Sequence, residues 1–189
     1  LIVNKTANFS AGSITKANIQ IDATGMKAGD EVNITANLAN LAGTIEVINN
    51  NMLDAEIVDG KIILVEKTLG GEGTEASPYV ITNLDDLKFF RDHVNAGNNY
   101  AGKYIKLNAD IDLAPTRSES NWTPIGTDSK PFNGTFDGDN HTISNLVITG
   151  YNSNVGFFGR TNNGEIKNVI FENAKDSAKP LTVVAVSDV

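Results

Sequence analysis

The chain has 189 residues, 40% of them hydrophobic, a net charge of −8 and no cysteine. Such a length supports one large domain or two small ones, each with room for a core. Charge is about −3 over residues 1–68 and about −5 over the rest, which argues against a nucleic-acid partner and against an anionic membrane surface, both of which demand basic stripes.

Without cysteine there are no disulfides and no thiolate metal sites. No apolar run approaches the roughly 20 residues of a membrane helix, so no membrane insertion is expected. The chain opens on Leu1 rather than Met, so a processed product or a piece of a longer protein is expected.

Residues 1–68 read as short alternating segments: "NIQID" at 18–22, "EVNITANL" at 31–38, "TIEVI" at 44–48 and "AEIVDGKIILVEK" at 55–67. Asp59-Gly60 in the last is the dipeptide of two-residue hairpins, because both central residues need positive φ. Short strands at this spacing predict a small antiparallel immunoglobulin-like sandwich over 1–68. "LGGEGTEASPY", 69–79, breaks the alternation with three glycines and a proline, and reads as a linker.

A helix is predicted over 83–96. Asn83 is a good N-cap, Asp86 stands three residues on, and Gly97 sits where a closing glycine belongs. Leu84, Leu87, Phe90 and Val94 fall on one face; Phe89 lies off that stripe and the pattern does not explain it.

From Lys103 the strands return. "TISNLVI" at 142–148 and "EIKNVIF" at 165–171 align with an offset of 23 residues, placing Ile143 over Ile166 and Asn145 over Asn168. A period of this size marks a solenoid whose coils bury apolar residues only against their neighbours. The fold expected for 80–189 is therefore a short parallel β-helix, its first coil capped by the helix, with Asn145 and Asn168 stacked at one corner.

The segments "GEGTEASPYVITNLDDLKFF", "GKYIKLNADIDL", "WTPIG", "PFNGTFDGDNHTISNLVI" and "GEIKNVIFENA", in that order, resemble the GLUG-repeat region of secreted bacterial surface proteins and IgA-protease-type adhesins. The namesake motif matches Gly156-Phe157-Phe158-Gly159. The likeness covers roughly 71–174 and leaves residues 1–70 untouched. It implies a right-handed parallel β-helix on an extracellular protein, serving as scaffold or adhesive module without catalytic residues of its own.

Chemistry was sought in the acidic pairs Asp110/Asp112 and Asp137/Asp139, with His141 beside the second. A hydrolase needs paired carboxylates at a defined separation; the plainer expectation is that these carboxylates cap backbone amides in turns. Asp137, Asp139 and Asn140 around Gly138 are candidate calcium ligands, since calcium takes clustered hard oxygens, though no distal Glu completes an EF-hand pattern. Trp122, Tyr100 and Tyr151 are candidate sugar-stacking platforms, although core packing under a long loop is the favoured reading for Trp122. Phe132, Phe136, Phe157 and Phe158 read as coil interior.

The tail "PLTVVAVSDV", 180–189, supplies one apolar strand and no second helix to close the stack. It is expected to pair with a neighbouring subunit or domain, burying Leu181, Val183, Val184 and Val186. These readings together predict a non-catalytic, glycan-facing binding or adhesive module at the surface of a bacterial cell. The alternative is a structural subunit of an extracellular assembly, such as a phage capsid decoration or fibre protein on a virion.

Overall fold

In the computed structural model the described residues are 2–4, 9–13, 16–32, 34–38, 41–114, 122–148, 155–176 and 179–180. The chain divides into two compact units, Leu1–Thr68 and Leu69–Val189.

In the first unit β1 (Ile2–Asn4), β3 (Ile19–Asp22) and β6 (Ile45–Ile48) form one sheet, and every pairing in it is parallel. β2 (Phe9–Ser13) and β5 (Ile34–Asn37) also pair parallel. Among the described residues of this unit, antiparallel pairing is confined to β4 (Glu31–Val32), β7 (Leu53–Val58) and β8 (Lys61–Glu66). Asp59 and Gly60, at φ 50° and 78°, make the hairpin turn between β7 and β8 that the sequence predicts.

An immunoglobulin-like sandwich is built from antiparallel neighbours, so that expectation is corrected. Val3, Ile19, Ile21, Ile62 and Leu64 are nevertheless buried together in the core. Alternation of apolar and polar residues is the same for a hairpin strand and a solenoid strand. Only the connection tells them apart, and parallel neighbours need a long one.

The second unit is a β-solenoid. β9 (Tyr79–Ile81), β10 (Tyr104–Leu107), β12 (Thr135–Asp137) and β15 (Glu165–Lys167) stack parallel in a four-stranded sheet. β11 (Ile111–Asp112), β13 (Thr142–Ser144) and β16 (Ile170–Glu172) form a second parallel face. β14 (Val147–Ile148) and β17 (Lys175–Asp176) begin a third, on which β18 (Lys179–Pro180) lies antiparallel to β17. Parallel bridges from Ile125 to Phe158 and from Phe132 to Thr161 close the remaining side.

The register corrects the sequence alignment. Ile143 lies over Phe171, 28 residues on, and Phe136 over Ile166, 30 residues on. The repeated phrases are not equivalent strands: one spans β13 and β14, the other β15 and β16. The corner between the first two faces simply loses two residues in the later coil, a change no turn signal announces. Asn145 and Asn168 consequently stand at different corners.

One helix, α1 (Leu84–Ala96), follows β9. Asn83 caps it by accepting from the Asp86 N–H at 2.8 Å, while the Asp86 carboxylate reaches back to the N–H and hydroxyl of Thr82. Gly97, at φ 122°, ends it. Phe90 stacks on Phe136 and meets Phe132 and Phe158 edge-on, and the Asn95 side chain binds the Pro124 carbonyl and the Gly126 N–H. The helix thus forms part of the first coil and packs on the coils that follow. Phe89, off the apolar stripe, is also buried, stacked on the ring of His93.

Residues 69–79 fold into this unit. Leu69 is buried, Gly70 bridges Val80, and Glu72 and Thr74 donate to the Ser77 carbonyl. Gly138 has a packing reason: a Cβ there would meet the Asn168 carbonyl of the next coil.

Inward columns carry the core. Ile105 and Phe136, 1% and 0% exposed, lead to Ile166 at 38%. Phe136→Ala should therefore cost about 3–5 kcal/mol, whereas Ile170→Ala, on the outer face, should cost under about 0.5 kcal/mol. Urea unfolding followed by Trp122 fluorescence reads this unit alone, because the chain has one Trp. Equal losses for the two variants would contradict the assignment of faces.

Candidate functional site

The polar residues most suited to chemistry gather at the corners between coils, where one arrangement recurs. An Asp ends a strand, and the Asn one residue past its paired position in the next coil donates its side-chain amide to that carboxylate. Asn49 donates to Asp22 at 3.0 Å, Asn145 to Asp112 at 2.7 Å and Asn168 to Asp137 at 2.9 Å. The pairings Asp22 with Ile48, Asp112 with Ser144 and Asp137 with Lys167 place each Asn alike.

Each Asp also accepts the backbone N–H two residues on: Thr24, Ala114 and Asp139 respectively. Each Asn is left-handed, at φ 64°, 60° and 54°. Asn tolerates that backbone better than other side-chain-bearing residues. A corner that must turn sharply and also reach back one coil therefore selects Asn.

Such bonds favour the charged form of Asp22, Asp110 and Asp137. The hydroxyl and N–H of Thr24, with the Asn49 amide, keep Asp22 below its ordinary value of 3.8. The Thr142 N–H, with His141, does so for Asp110. At Asp137 burial pushes upward, but the Asp139 N–H, the Asn168 amide and the charges of Lys167 and Lys106 outweigh it.

The candidate calcium ligands Asp137, Asp139 and Asn140 have partners of their own in this geometry. The Asp137 carboxylate is engaged as above, Asp139 pairs with the Lys106 ammonium at 2.9 Å, and the Asn140 N–H donates to the Asn168 carbonyl. A lysine ammonium thus stands beside the carboxylates a cation would need. Among the described residues no group of three or more His, Cys, Asp or Glu is arranged to hold a metal.

The described aromatic candidates are engaged in packing. Trp122 is fully buried: its indole N–H donates to the Phe157 carbonyl at 3.0 Å, its ring stacks on Phe157, and the Arg91 guanidinium lies over it. No face is left for a sugar ring. Tyr100 is half-buried, its hydroxyl 2.7 Å from His93 Nδ1 and its ring against Tyr79 and Phe90. Burial, then the charge of Tyr79, pushes its ionisation far up. Tyr151 lies outside the described residues.

Sequence reasoning found Asp112 and Asp137 and read them as turn caps, but missed Asp22 and the second bond of each to an Asn one coil away. The signal available was an Asp and an Asn, each just at or past a strand end, in successive coils.

A carboxylate with a lowered native pKa binds fewer protons folded than unfolded between the two values. In the second unit, stability from Asp110 and Asp137 is thus fully present above about 4 and is lost as pH falls through their lowered native values. The Trp122-monitored urea midpoint should be flat from neutral pH down to about 5 and then fall. Asp137→Asn should flatten that fall. An unchanged acid slope in this variant would show that Asp137 contributes nothing to it.

No family model matches the chain, and no solved structure matches it. Halomucin of Haloquadratum walsbyi is 40% identical over 115 residues, covering 55% of this chain and 1% of that protein. A protein described as a Gly-rich membrane protein, of Evansella cellulosilytica, is 31% identical over 104 residues, covering 53% of this chain and 12% of its own length. The chain is thus similar to a small part of two much longer proteins.

Proposed function

We propose that this chain is a non-catalytic extracellular module of a surface protein, in which a β-solenoid serves as scaffold and as an adhesive, glycan-facing surface. The observation that carries this reading is the use made of its acidic residues. Asp22, Asp112 and Asp137 each spend a carboxylate oxygen on a neighbouring coil. Asp139 is neutralised by Lys106, and Asp110 binds the Thr142 N–H and His141. General acid–base work needs a carboxyl whose proton is free to move near neutral pH; Asp22, Asp110 and Asp137 are instead held ionised as structural acceptors.

A relative named halomucin and one described as a membrane protein support a place at the cell surface. The likeness to GLUG-repeat regions supports the scaffold role. Among the described residues no helix is long and apolar enough to cross a membrane. The other reading, a subunit of a particle such as a phage decoration protein, draws no support from these relatives.

The chain should leave acidic and neutral polysaccharides uncleaved in a reducing-end assay, and should be retained by at least one class of surface glycan on an array. Turnover abolished by Asp137→Asn or Asp139→Asn would overturn the non-catalytic reading. Retention by no glycan at all would remove the glycan-facing part of it.

A further inference from the structure

Two sequence features have no part in the scaffold reading. The tail expected to pair with a neighbouring subunit lies, from Leu181 to Val189, outside the described residues. The other is the triplet Asn-x-Ser/Thr, which occurs six times, at Asn4, Asn8, Asn33, Asn121, Asn133 and Asn140. It is the acceptor sequence of N-linked glycosylation, and it can serve only where its amide and its hydroxyl both reach solvent. Asn133-Gly134-Thr135 and Asn140-His141-Thr142 are the two triplets that lie wholly within the described residues. The fold treats them in opposite ways.

Asn140 is exposed, in the turn between β12 and β13. Asp139 and Asn140 are both left-handed, at φ 48° and 63°, and the His141 N–H closes the turn on the Gly138 carbonyl at 2.8 Å. The Asn140 N–H is fixed to the Asn168 carbonyl of the next coil at 2.9 Å. Asn49, Asn145 and Asn168 spend their side-chain amides on an Asp, whereas that of Asn140 has no hydrogen-bond partner among the described residues. Ile143 points inward and is buried, so its strand neighbour Thr142 faces outward. A left-handed turn accounts for the Asn but not for the Thr. Asn49, Asn145, Asn163, Asn168 and Asn173 are also left-handed, and two residues after them stand Asn51, Val147, Glu165, Ile170 and Lys175.

At Asn133 the side-chain oxygen is shut away from solvent and has no partner among the described residues. Gly134 beside it is buried against the Tyr100 and Lys103 carbonyls. An enzyme could not close on that amide without opening the coil.

We infer that Asn140 is an N-glycosylation site of the folded chain and that Asn133 is not. Asn140 Nδ2 attacks the anomeric carbon of a lipid-linked oligosaccharide. The C–N bond forms, the bond from that carbon to the lipid phosphate oxygen breaks, and the amide proton is carried off by the released lipid phosphate. Meeting the transferase in a cell rests on the surface location proposed above. The competence of the corner does not, so a purified transferase tests it separately.

The folded full chain is incubated with a purified single-subunit oligosaccharyltransferase that accepts Asn-x-Ser/Thr, together with its lipid-linked oligosaccharide, and glycopeptides are mapped by mass spectrometry. Occupancy at Asn140 should exceed that at Asn133 by at least about tenfold, since a sealed amide is reached only through local opening. Asn140→Gly, which keeps the left-handed turn, and Thr142→Val, which keeps the β-branched strand residue, should each abolish the glycan on this peptide, while Thr142→Ser should retain it. A synthetic peptide of residues 136–146 establishes that the enzyme accepts the sequence. Absence of glycan at residue 140 of the folded chain overturns the inference, and so does equal occupancy at residues 133 and 140.

Discussion

In a solenoid each coil finds partners for its backbone and its apolar side chains only in the coils on either side. Register between coils is therefore the constraint on which everything else depends. A slip of one residue would turn every inward side chain to solvent. In this chain the register is pinned at the corners, where Asp22, Asp112 and Asp137 each hold their own turn and the Asn of the next coil together. A single carboxylate oxygen thus couples a local turn to a long-range pairing.

With the corners fixed, the interior follows. Ile105, Phe136 and Ile166 line one column, and Ile111, Ile143 and Phe171 another. Phe90 of the helix enters among Phe132, Phe136 and Phe158, and Trp122 packs on Phe157. These aromatic residues are spent on the inside, and Asp22, Asp112 and Asp137 on the corners. The same corner occurs in the first unit, at Asp22 and Asn49, so both units use one means of holding parallel coils.

Much of this was legible in the sequence, for identifiable reasons. The helix was readable because Asn83, the apolar spacing and Gly97 each act locally. The hairpin at Asp59-Gly60 was readable because its turn demands positive φ at two adjacent residues. The solenoid was expected from a 23-residue repetition that does not match the observed register of 28 and 30 residues between coils. What was not legible is what depends on distance along the chain. The apolar alternation of Ile19, Ile21, Ile45 and Val47 fits antiparallel and parallel neighbours equally, so the first unit was read as a sandwich. The resemblance of "TISNLVI" to "EIKNVIF" is real as wording but crosses two faces, because the corner after β15 is shorter than that after β12. Core packing was the favoured reading for Trp122, but the partners of Trp122 and Tyr100 could not be named, because nothing local shows which residues of other segments meet them. Asp137, Asp139 and Asn140 looked like a cation cluster because Lys106 and Asn168, which engage them, lie in other coils.

The central claim is that an Asp in one coil and an Asn in the next act as a unit. A double-mutant cycle on Asp137→Ala and Asn168→Gly tests it most directly, the glycine keeping the left-handed corner open. Urea unfolding of the two single variants and the double variant, followed by Trp122 fluorescence, gives the coupling free energy. The account predicts a favourable coupling of about 0.5–1.5 kcal/mol for this largely solvent-facing pair. Strict additivity, with a coupling below about 0.3 kcal/mol, would contradict it.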